Sequence, residues 1–461
     1  MNDSTFKKNI LCIGAGYVGG PTMTVIANHC PDYRITVVDI SEEKIRRWNS
    51  DHLPIFEPGL KERVDRVRGK NLFFSTDIDR GIAEADMIFV TVNTPTKTFG
   101  EGMGRAVDLQ FMEQTARRIR EHASSDTIVI EKSTIPVRAA ETLEKILSTN
   151  PNGVRFEILS NPEFMAEGTA IQDMENPDRV LIGSMDTPEG LRARDELLAI
   201  YNRWVAPEKI ITTNLWSSEL SKLVANAFLA QRITSINTIS AVCESTGADV
   251  TQVADAVGRD SRIGSKFLRA GVGFGGSCFR KDILSLVYLC EHYGLAEIAG
   301  FWNYVIQLND YQMERFVRRI LHAMFDTLVD KKIAVFGFAF KPNTGDTRDA
   351  PSIYICKRLL EEKARLTVND PHALENARED LKGLDGAGFE QDPYKAAEGA
   401  HAIALLTEWD CYRDLDYRRI FESMEKPAYL FDGRNHLDHD ALYAMGFNVY
   451  CVGKPDRDHF A

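Results

Sequence analysis

Long apolar runs are missing from this sequence. Nothing in its 461 residues approaches the roughly 20 consecutive apolar residues of a membrane-spanning helix, so none is expected. Positive charge is in short supply. The 55 Lys and Arg against 67 Asp and Glu leave a formal net charge of −12. Holding nucleic-acid phosphates needs a basic face, so that role is not expected, while a local pocket for a small anion stays open. Cysteine pairs are absent too. Cys12, Cys30, Cys243, Cys278, Cys290, Cys356, Cys411 and Cys451 are scattered without a CxxC, among mostly apolar neighbours. That pattern fits reduced thiols in a cytoplasmic protein. No His/Cys grouping has metal-ligand spacing, so no metal is expected. Tandem repeats and low-complexity segments are lacking. Met1 to Lys8 contains no apolar signal region and is expected to lead directly into a strand. At the other end, Gly453–Ala461 is expected to be a loose tail.

With 44% hydrophobic residues, the chain can bury two or three cores. Asn9–Gly14 reads as a strand, followed by a glycine turn, a helix to about Cys30 and a strand Arg34–Asp39, a βαβ unit. Strand candidates 71–75, 87–92, 127–131, 157–160, 180–183 and 209–212 alternate with helical stretches and predict a largely parallel, doubly wound sheet. From Ser217 to about Thr246, apolar residues recur at helical spacing for longer than a crossover helix needs. Helices are also predicted at 249–257, 281–292 and 301–328. The βαβ pattern returns at Lys331, with strands at 332–338, 365–369, 400–406, 429–432 and 448–452. The expected class is α/β, with two Rossmann-like doubly wound domains joined by a helical central domain containing one long helix. The expected boundaries are 1–213, 214–329 and 330–461.

Gly14-Ala15-Gly16-Tyr17-Val18-Gly19 fits G-x-G-x-x-G between a strand and a helix. The first glycine makes the turn, the second admits a pyrophosphate to the helix N-terminus, and the third packs helix on strand. Asp39 ends the second strand at the spacing of a ribose-binding carboxylate, which repels a 2′-phosphate and favours NAD over NADP. Lys44 follows it, either beside the adenosine or solvated. Val92-Asn93-Thr94-Pro95-Thr96 and Lys132-Ser133-Thr134 each close a strand, where ligands of open α/β sheets sit; turn-forming composition is the competing explanation. Glu163 and Glu167 stand four apart after another strand, suited to acid–base work or simply solvated.

Gly271-Val272-Gly273-Phe274-Gly275-Gly276-Ser277-Cys278 is a glycine-dense loop delivering one cysteine to the first turn of a helix. A helix N-terminus carries about half a positive charge and favours thiolate, so covalent chemistry competes with a buried small hydrophobe as the reading of Cys278. Lys222 and Asn226 share one face of the long helix, as do Cys278 and Asp282 of theirs. A carboxylate near a thiolate needs a cationic or water partner, and Lys222 is the candidate. Arg262, Lys266, Arg269, Lys341 and Arg434 stand at loop edges, solvated individually or jointly suited to a diphosphate.

These segments carry a resemblance. GAGYVGG, VNTPTKT, EKSTIPVRAAE, SNPEFMAEGTA, SSELSKLVANAFLAQRI, GVGFGGSCFRKD, GFAFKPNTGDTR and TEWD resemble the UDP-glucose/GDP-mannose dehydrogenase family from Gly14 to Arg434, its animal-type members most. The resemblance implies NAD-dependent four-electron oxidation of UDP-glucose to UDP-glucuronate. Gly14 to Gly19, Asp39, Lys44, Val92 to Thr96, Ser133, Thr134, Glu167 and Arg348 would line NAD. Cys278 would be the nucleophile. Lys222, Asn226 and Asp282 would hold the C6 oxygen and a water, with Thr134 and Glu163 among the catalytic set. Glu163, Phe164, Met165, Ala166 and Glu167 would border the sugar. Lys266, Phe267, Arg269, Gly273, Phe274, Gly275, Phe279, Phe340, Lys341 and Arg434 would grip the uridine diphosphate. Arg262 would reach a neighbouring subunit, implying a homo-oligomer built on a dimer, with hexamers usual among animal-type members. Met165 replaces an expected leucine and Arg269 an expected lysine. Arg280 replaces a neutral residue and is expected to lower the Cys278 pKa a little. Whether Asp282 or Glu163 activates the hydrolytic water stays open. The competing readings are a sister dehydrogenase for GDP-mannose or a UDP-N-acetyl sugar, a two-electron β-hydroxyacid dehydrogenase, and a non-catalytic NAD-binding protein.

Overall fold

The computed structural model describes residues 6–460; Met1–Thr5 and Ala461, parts of the expected leaderless start and loose tail, lie outside the described residues. The chain forms two compact units, Met1–Ala225 and Asn226–Ala461.

The first unit holds an eight-stranded sheet: β1 (Lys8–Ile13), β2 (Tyr33–Val38), β3 (Leu72–Ser75), β4 (Met87–Val90), β5 (Thr127–Glu131), β6 (Phe156–Ser160), β7 (Val180–Ser184) and β8 (Ile210–Asn214). Their order is β3-β2-β1-β4-β5-β6-β7-β8. All pairings are parallel except β6 with β7, which meet antiparallel at Ser160 and Gly183. Neighbours on one strand serve opposite faces. Ile10 and Cys12 join one core, with Val37, Phe89 and Ile130, while Leu11 and Ile13 join another, with Val38, Ile88 and Val129. Helices cover both faces, which is why the strands read as continuous apolar runs rather than alternating ones.

The second unit repeats this order with β9 (Lys332–Phe336), β10 (Arg365–Asn369), β11 (Ala387–Phe389), β12 (Ala402–Leu405), β13 (Tyr429–Asp432) and β14 (Asn448–Cys451), arranged β11-β10-β9-β12-β13-β14 and wholly parallel. β11 escapes the sequence reading because it has three residues, two of them Ala and Gly. The long helices are Leu215–Thr246 and Ala296–Ala323. The central helices share a core with the second sheet. Ile236, Cys243, Met313, Phe316 and Val317 pack with Ile333, Val335, Leu366 and Val368. This shared core explains why two compact units form where the sequence suggests three divisions. Among the described residues, no helix is long and apolar enough to cross a membrane.

Two expectations need correction. The tail is not loose up to Phe460. Arg457 pairs with Val449 across two backbone hydrogen bonds of 2.8 and 3.1 Å, the His459 ring stacks 4.1 Å from Tyr443, and Arg319 holds Asp456. The polar composition hid a strap tied from outside its own segment. The cysteine-bearing helix runs Phe279–His292, which puts Cys278 at its N-cap rather than inside its first turn.

Candidate functional site

In the first unit, Gly14 has φ +113° and donates to the Val38 carbonyl at 2.8 Å. A Cβ there would lie 2.7 Å from the Thr91 carbonyl oxygen, so only glycine makes this turn. A Cβ on Gly19 would sit 2.0 Å from the Gly14 carbonyl oxygen, while one on Gly16 would meet no protein atom within 4 Å. Helix Gly19–His29 starts at Val18 without a side-chain cap and with no acidic residue in its first turn. Its leading N–H groups are thus suited to an anionic ligand.

Asp39 follows β2 and is buried. It accepts from the Ala15 and Ser41 amides, each at 2.9 Å, and from Lys44 Nζ at 2.9 Å. Burial pushes its carboxyl up, but the Lys44 ammonium and the two N–H groups outweigh that and hold it below the usual range. Lys44 is therefore the Asp39 counter-ion. Trp48, whose Nε1 donates 3.0 Å to the Ala15 carbonyl, is a support the sequence reading missed.

The strand-end segments meet as expected from the topology. Ser133 Oγ donates to the Val92 carbonyl at 2.7 Å, and Thr94 Oγ1 to the Thr134 carbonyl at 2.9 Å. Asn93 and Pro95 are exposed, and Thr96 bridges Val107. Tyr17 Oη accepts from the Gly168 amide at 3.3 Å. Glu57, also missed, accepts from the Ala170 amide at 3.1 Å and anchors the 161–169 loop.

That loop carries Glu163, whose Oε2 lies 2.9 Å from Lys132 Nζ and whose Oε1 accepts from the Phe164 and Met165 amides at 2.8 and 3.1 Å. Lys132 also reaches Asn161 Oδ1 at 3.2 Å and Tyr201 Oη at 3.4 Å. Burial opposes both charges. The Lys132 ammonium and the two amides nevertheless hold Glu163 below its ordinary value, and Glu163 with Tyr201 holds Lys132 above its own. The sequence signal for Lys132 is a lysine directly after five strand residues. The Phe164 ring has the Arg179 guanidinium 3.9 Å from its centroid and Lys222 Nζ at 5.2 Å. Met165 is half-buried against the core, Ala166 exposed and Glu167 half-buried. Lys222 is itself buried.

In the second unit, Cys278 is exposed, which removes the buried-hydrophobe reading. Its carbonyl accepts from the Asp282 amide at 2.8 Å. Buried Asp282 receives Asn226 Nδ2 on Oδ2 at 2.6 Å, with Lys281 Nζ 3.9 Å from Oδ1. Arg280 is turned onto Asp310 at 2.7 Å, an arrangement that spends its charge on a carboxylate rather than on the thiol.

The glycine loop is pinned by amides on the long helices. Gly271 donates to Asn237 Oδ1 at 2.9 Å and accepts from Gln312 Nε2 at 2.7 Å; Phe274 donates to Asn309 Oδ1 at 2.8 Å. The sequence reading missed these three residues, polar positions on otherwise apolar helix faces. Gly273 has φ +126°, and a Cβ on Gly275 would lie 2.5 Å from the Asp349 carbonyl oxygen. Phe274 meets Phe279 edge-on at 5.8 Å, with Phe267 6.5 Å from Phe279. Arg434 Nε donates to the Leu406 carbonyl at 2.7 Å, and its Nη1 and Nη2 reach the Gly273 and Phe340 carbonyls at 3.4 and 3.5 Å. Lys341 Nζ stands 5.5 Å from the Phe340 ring. The second unit thus gathers Gly273, Phe340, Lys341 and Arg434. Arg262 is turned onto Asp260 at 2.6 Å, Lys266 and Arg269 are exposed, and Arg348 pairs with Asp346 at 2.6 Å.

Profiles of the UDP-glucose/GDP-mannose dehydrogenase family match three consecutive segments: its NAD binding domain at residues 8–205, its central domain at 216–311 and its UDP binding domain at 334–439. The chain belongs to this family. Among its UDP-glucose/GDP-mannose dehydrogenase relatives, "UDP-glucose 6-dehydrogenase 2" of Oryza sativa subsp. japonica is 57% identical over 98% of each chain. "UDP-glucose 6-dehydrogenase" of Bos taurus is 58% identical over 97% of this chain and 93% of its own. Plant and animal members therefore match equally well. The solved structure of a UDP-glucose dehydrogenase from Pyrobaculum islandicum superposes with TM-score 0.86 at 30% identity over 99% of both chains. As in that family, the parallel-sheet Rossmann-like domains and the helical central region make an α/β oxidoreductase with an NAD binding domain. The uncapped helix, the open position at Gly16 and the Asp39 carboxylate fit that cofactor.

Proposed function

We propose that this chain is an NAD-dependent UDP-glucose 6-dehydrogenase that forms UDP-glucuronate through a covalent intermediate on Cys278. Nearly full-length similarity of 57–58% to the rice and bovine relatives supports the substrate. The observation that carries the chemistry is an exposed thiol at a helix N-cap, one turn before a buried carboxylate that is hydrogen-bonded to Asn226 at 2.6 Å. NAD, when bound, supplies the hydride acceptor for both oxidations.

The C6 hydroxyl loses its proton as C6 is first oxidised, giving an aldehyde. An aldehyde carbon is trigonal and has no alkoxide to drive a second oxidation. Addition of the Cys278 thiolate restores a tetrahedral carbon bearing an oxyanion. The Lys222 ammonium and Asn226 amide stabilise that oxyanion, an effect of about 3–4 kcal/mol per donor. Oxidation of this thiohemiacetal yields a thioester. Water then adds to its carbonyl, Asp282 takes the proton, and sulfur leaves as thiolate. Asp282 is favoured over Glu163 as base because Lys132 and two amides already occupy the Glu163 carboxylate and keep it weakly basic. Glu163 then positions the 163–167 segment beside the sugar. Gly14 to Gly19, Asp39, Lys44, Val92 to Thr96, Ser133, Thr134, Glu167 and Arg348 serve the cofactor. Gly273, Phe340, Lys341, Arg434 and the exposed Arg262, Lys266, Phe267 and Arg269 serve the uridine diphosphate.

The division at 1–213, 214–329 and 330–461 is kept as the functional one, with a cofactor part, a helical part and a nucleotide part. A homo-oligomer completes the reading, since Phe228, Phe301 and Tyr304 lie exposed on the two long helices. Free thiols fit a cytoplasmic setting. Absorbance of NADH with UDP-glucose tests the chemistry. Wild type releases two NADH per sugar, and Cys278→Ala retains the first oxidation but releases no acid. Two NADH per sugar from the alanine variant contradicts the assignment.

A further inference from the structure

Arg179 is a half-buried cation to which the chemistry above gives no task. It stands directly before β7, in the run Asn176-Pro177-Asp178-Arg179, and among the described residues it forms no ion pair. Asp173, which lines the same cavity, accepts from the Ala166 amide and the Thr169 hydroxyl, each at 2.9 Å. The Arg179 guanidinium meets an aromatic face instead. It lies 3.9 Å from the centroid of the Phe164 ring, which is contact distance. Lys222 Nζ stands 5.2 Å from the centroid of that same ring.

Backbone ties fix where these three side chains start. Asn161, the first residue past β6, donates from Nδ2 to the Leu181 carbonyl at 2.8 Å and joins the 161–169 loop to β7. Ser218 Oγ lies 2.9 Å from Ser160 Oγ, and a Cβ on Gly183 would lie 2.4 Å from the Ser218 Cβ. Helix Leu215–Thr246 therefore sits directly on the ends of β6 and β7, with Lys222 one turn past Ser218 on the same face. The Phe164 amide is held by Glu163 Oε1 at 2.8 Å. None of these ties reaches the ring or the ammonium. A cavity of about 400 Å³, lined by Thr22, Lys132, Phe164 and Arg179 among others, gives the ring room to turn. A lysine ammonium ends a flexible stem, so its resting place depends on the surfaces it lies against. The Phe164 ring is one such surface for Lys222, and Arg179 holds that ring.

We propose that Arg179 is a positioning residue: by pinning the Phe164 ring, it sets where the Lys222 ammonium meets the oxyanion formed at C6. This rests on the reading above that Lys222 stabilises that oxyanion. A ring free to turn would let the ammonium drift, and an oxyanion donor acts through its exact placement. Arg179 itself touches no reacting atom.

Steady-state kinetics of the full-length chain with UDP-glucose and NAD, beside melting curves, test this. Arg179→Gln has a similar reach but no charge for the ring. It should lose about tenfold in kcat, the scale of a partly desolvated cation–ring contact, with KM for NAD within about twofold. Arg179→Lys keeps a cation over the ring and should lose less than about threefold. In a Phe164→Leu background the ring is gone, so adding Arg179→Gln should cost less than about twofold more. A role in stability alone would move the melting temperature and leave these splits flat. Wild-type kcat in Arg179→Gln, equal losses in the Gln and Lys variants, or a full further loss in the Phe164→Leu background overturns the proposal. Wild-type kcat in Lys222→Ala would instead sink the oxyanion reading itself. Should Arg179→Gln fail to fold, Phe164→Leu decides on its own. It removes the ring that both cations meet and should lose about tenfold or more in kcat, and wild-type kcat in it contradicts the proposal.

Discussion

Lys132 shows how one buried charge can organise a loop. Its ammonium, 3% exposed, answers Glu163, Asn161 and Tyr201 together. Replacing it by methionine strands the Glu163 carboxylate in a largely buried site. Removing one partner of such a pair costs about 3–5 kcal/mol. Urea unfolding of Lys132→Met at pH 7 should show that loss, and a change below about 1 kcal/mol contradicts it. The pH dependence has a definite sign. Glu163 is held below its unfolded value of 4.5, so its contribution is complete above that value and fades as acid protonates the folded group. Lys132 is held above its unfolded 10.5, so its part survives until the pH rises beyond its folded value. The difference between wild type and Lys132→Met should therefore be flat near neutrality and shrink toward low pH.

At the scale of the element, the glycine turn separates packing from ligand binding. Gly19 and Gly16 sit three residues apart in one motif, yet an added methyl has opposite surroundings at the two positions. At Gly19 it would collide with the Gly14 carbonyl oxygen at 2.0 Å and force helix Gly19–His29 off β1. At Gly16 it would touch no protein within 4 Å. Gly19→Ala is thus expected to lower the melting temperature and Gly16→Ala to leave it within about a degree, with both weakening NAD binding. Core overpacking typically costs about 1–3 kcal/mol. Melting curves with an NAD titration check the pair, and a stable Gly19→Ala beside an unstable Gly16→Ala would reverse the argument. A helix that begins without a side-chain cap, just after the glycine turn that follows β1, has leading N–H groups suited to the pyrophosphate in the proposed cofactor role.

Over the whole molecule, net charge is −12, yet the proposed ligands are anions. The fold resolves this with local devices: the helix terminus at Gly19 in the first unit, and the Lys341 and Arg434 cluster of the second. Binding that favours the folded state stabilises it by mass action, about 2.7 kcal/mol at a hundredfold excess over Kd. Saturating NAD should raise the melting temperature by several degrees. NADP at the same concentration should do markedly less, because its 2′-phosphate would approach the Asp39 carboxylate. Equal shifts from the two nucleotides, read by scanning calorimetry, contradict the assignment of Asp39.

The sequence alone determined the elements that depend on local pattern. Apolar runs marked nearly every strand, because a strand covered on both faces is apolar throughout. Gly14 to Gly19 with Asp39 announced the dinucleotide turn, because sterics permit few residues there. Gly273 was visible for the same reason, and Cys278 as a lone thiol delivered by a glycine-dense loop to a helix start. Tertiary structure decided what depends on distant partners. The pairings of Trp48 with Ala15, Asn309 with Phe274, Lys132 with Glu163 and Tyr201, and Glu219 with the entry to helix Ala139–Leu147 carry no local signature, since each partner lies tens of residues away. The tail looked loose because its hydrogen bonds end on Val449 and Arg319, outside its own segment. Backbone preference is written residue by residue; burial and pairing exist only once the chain has closed on itself.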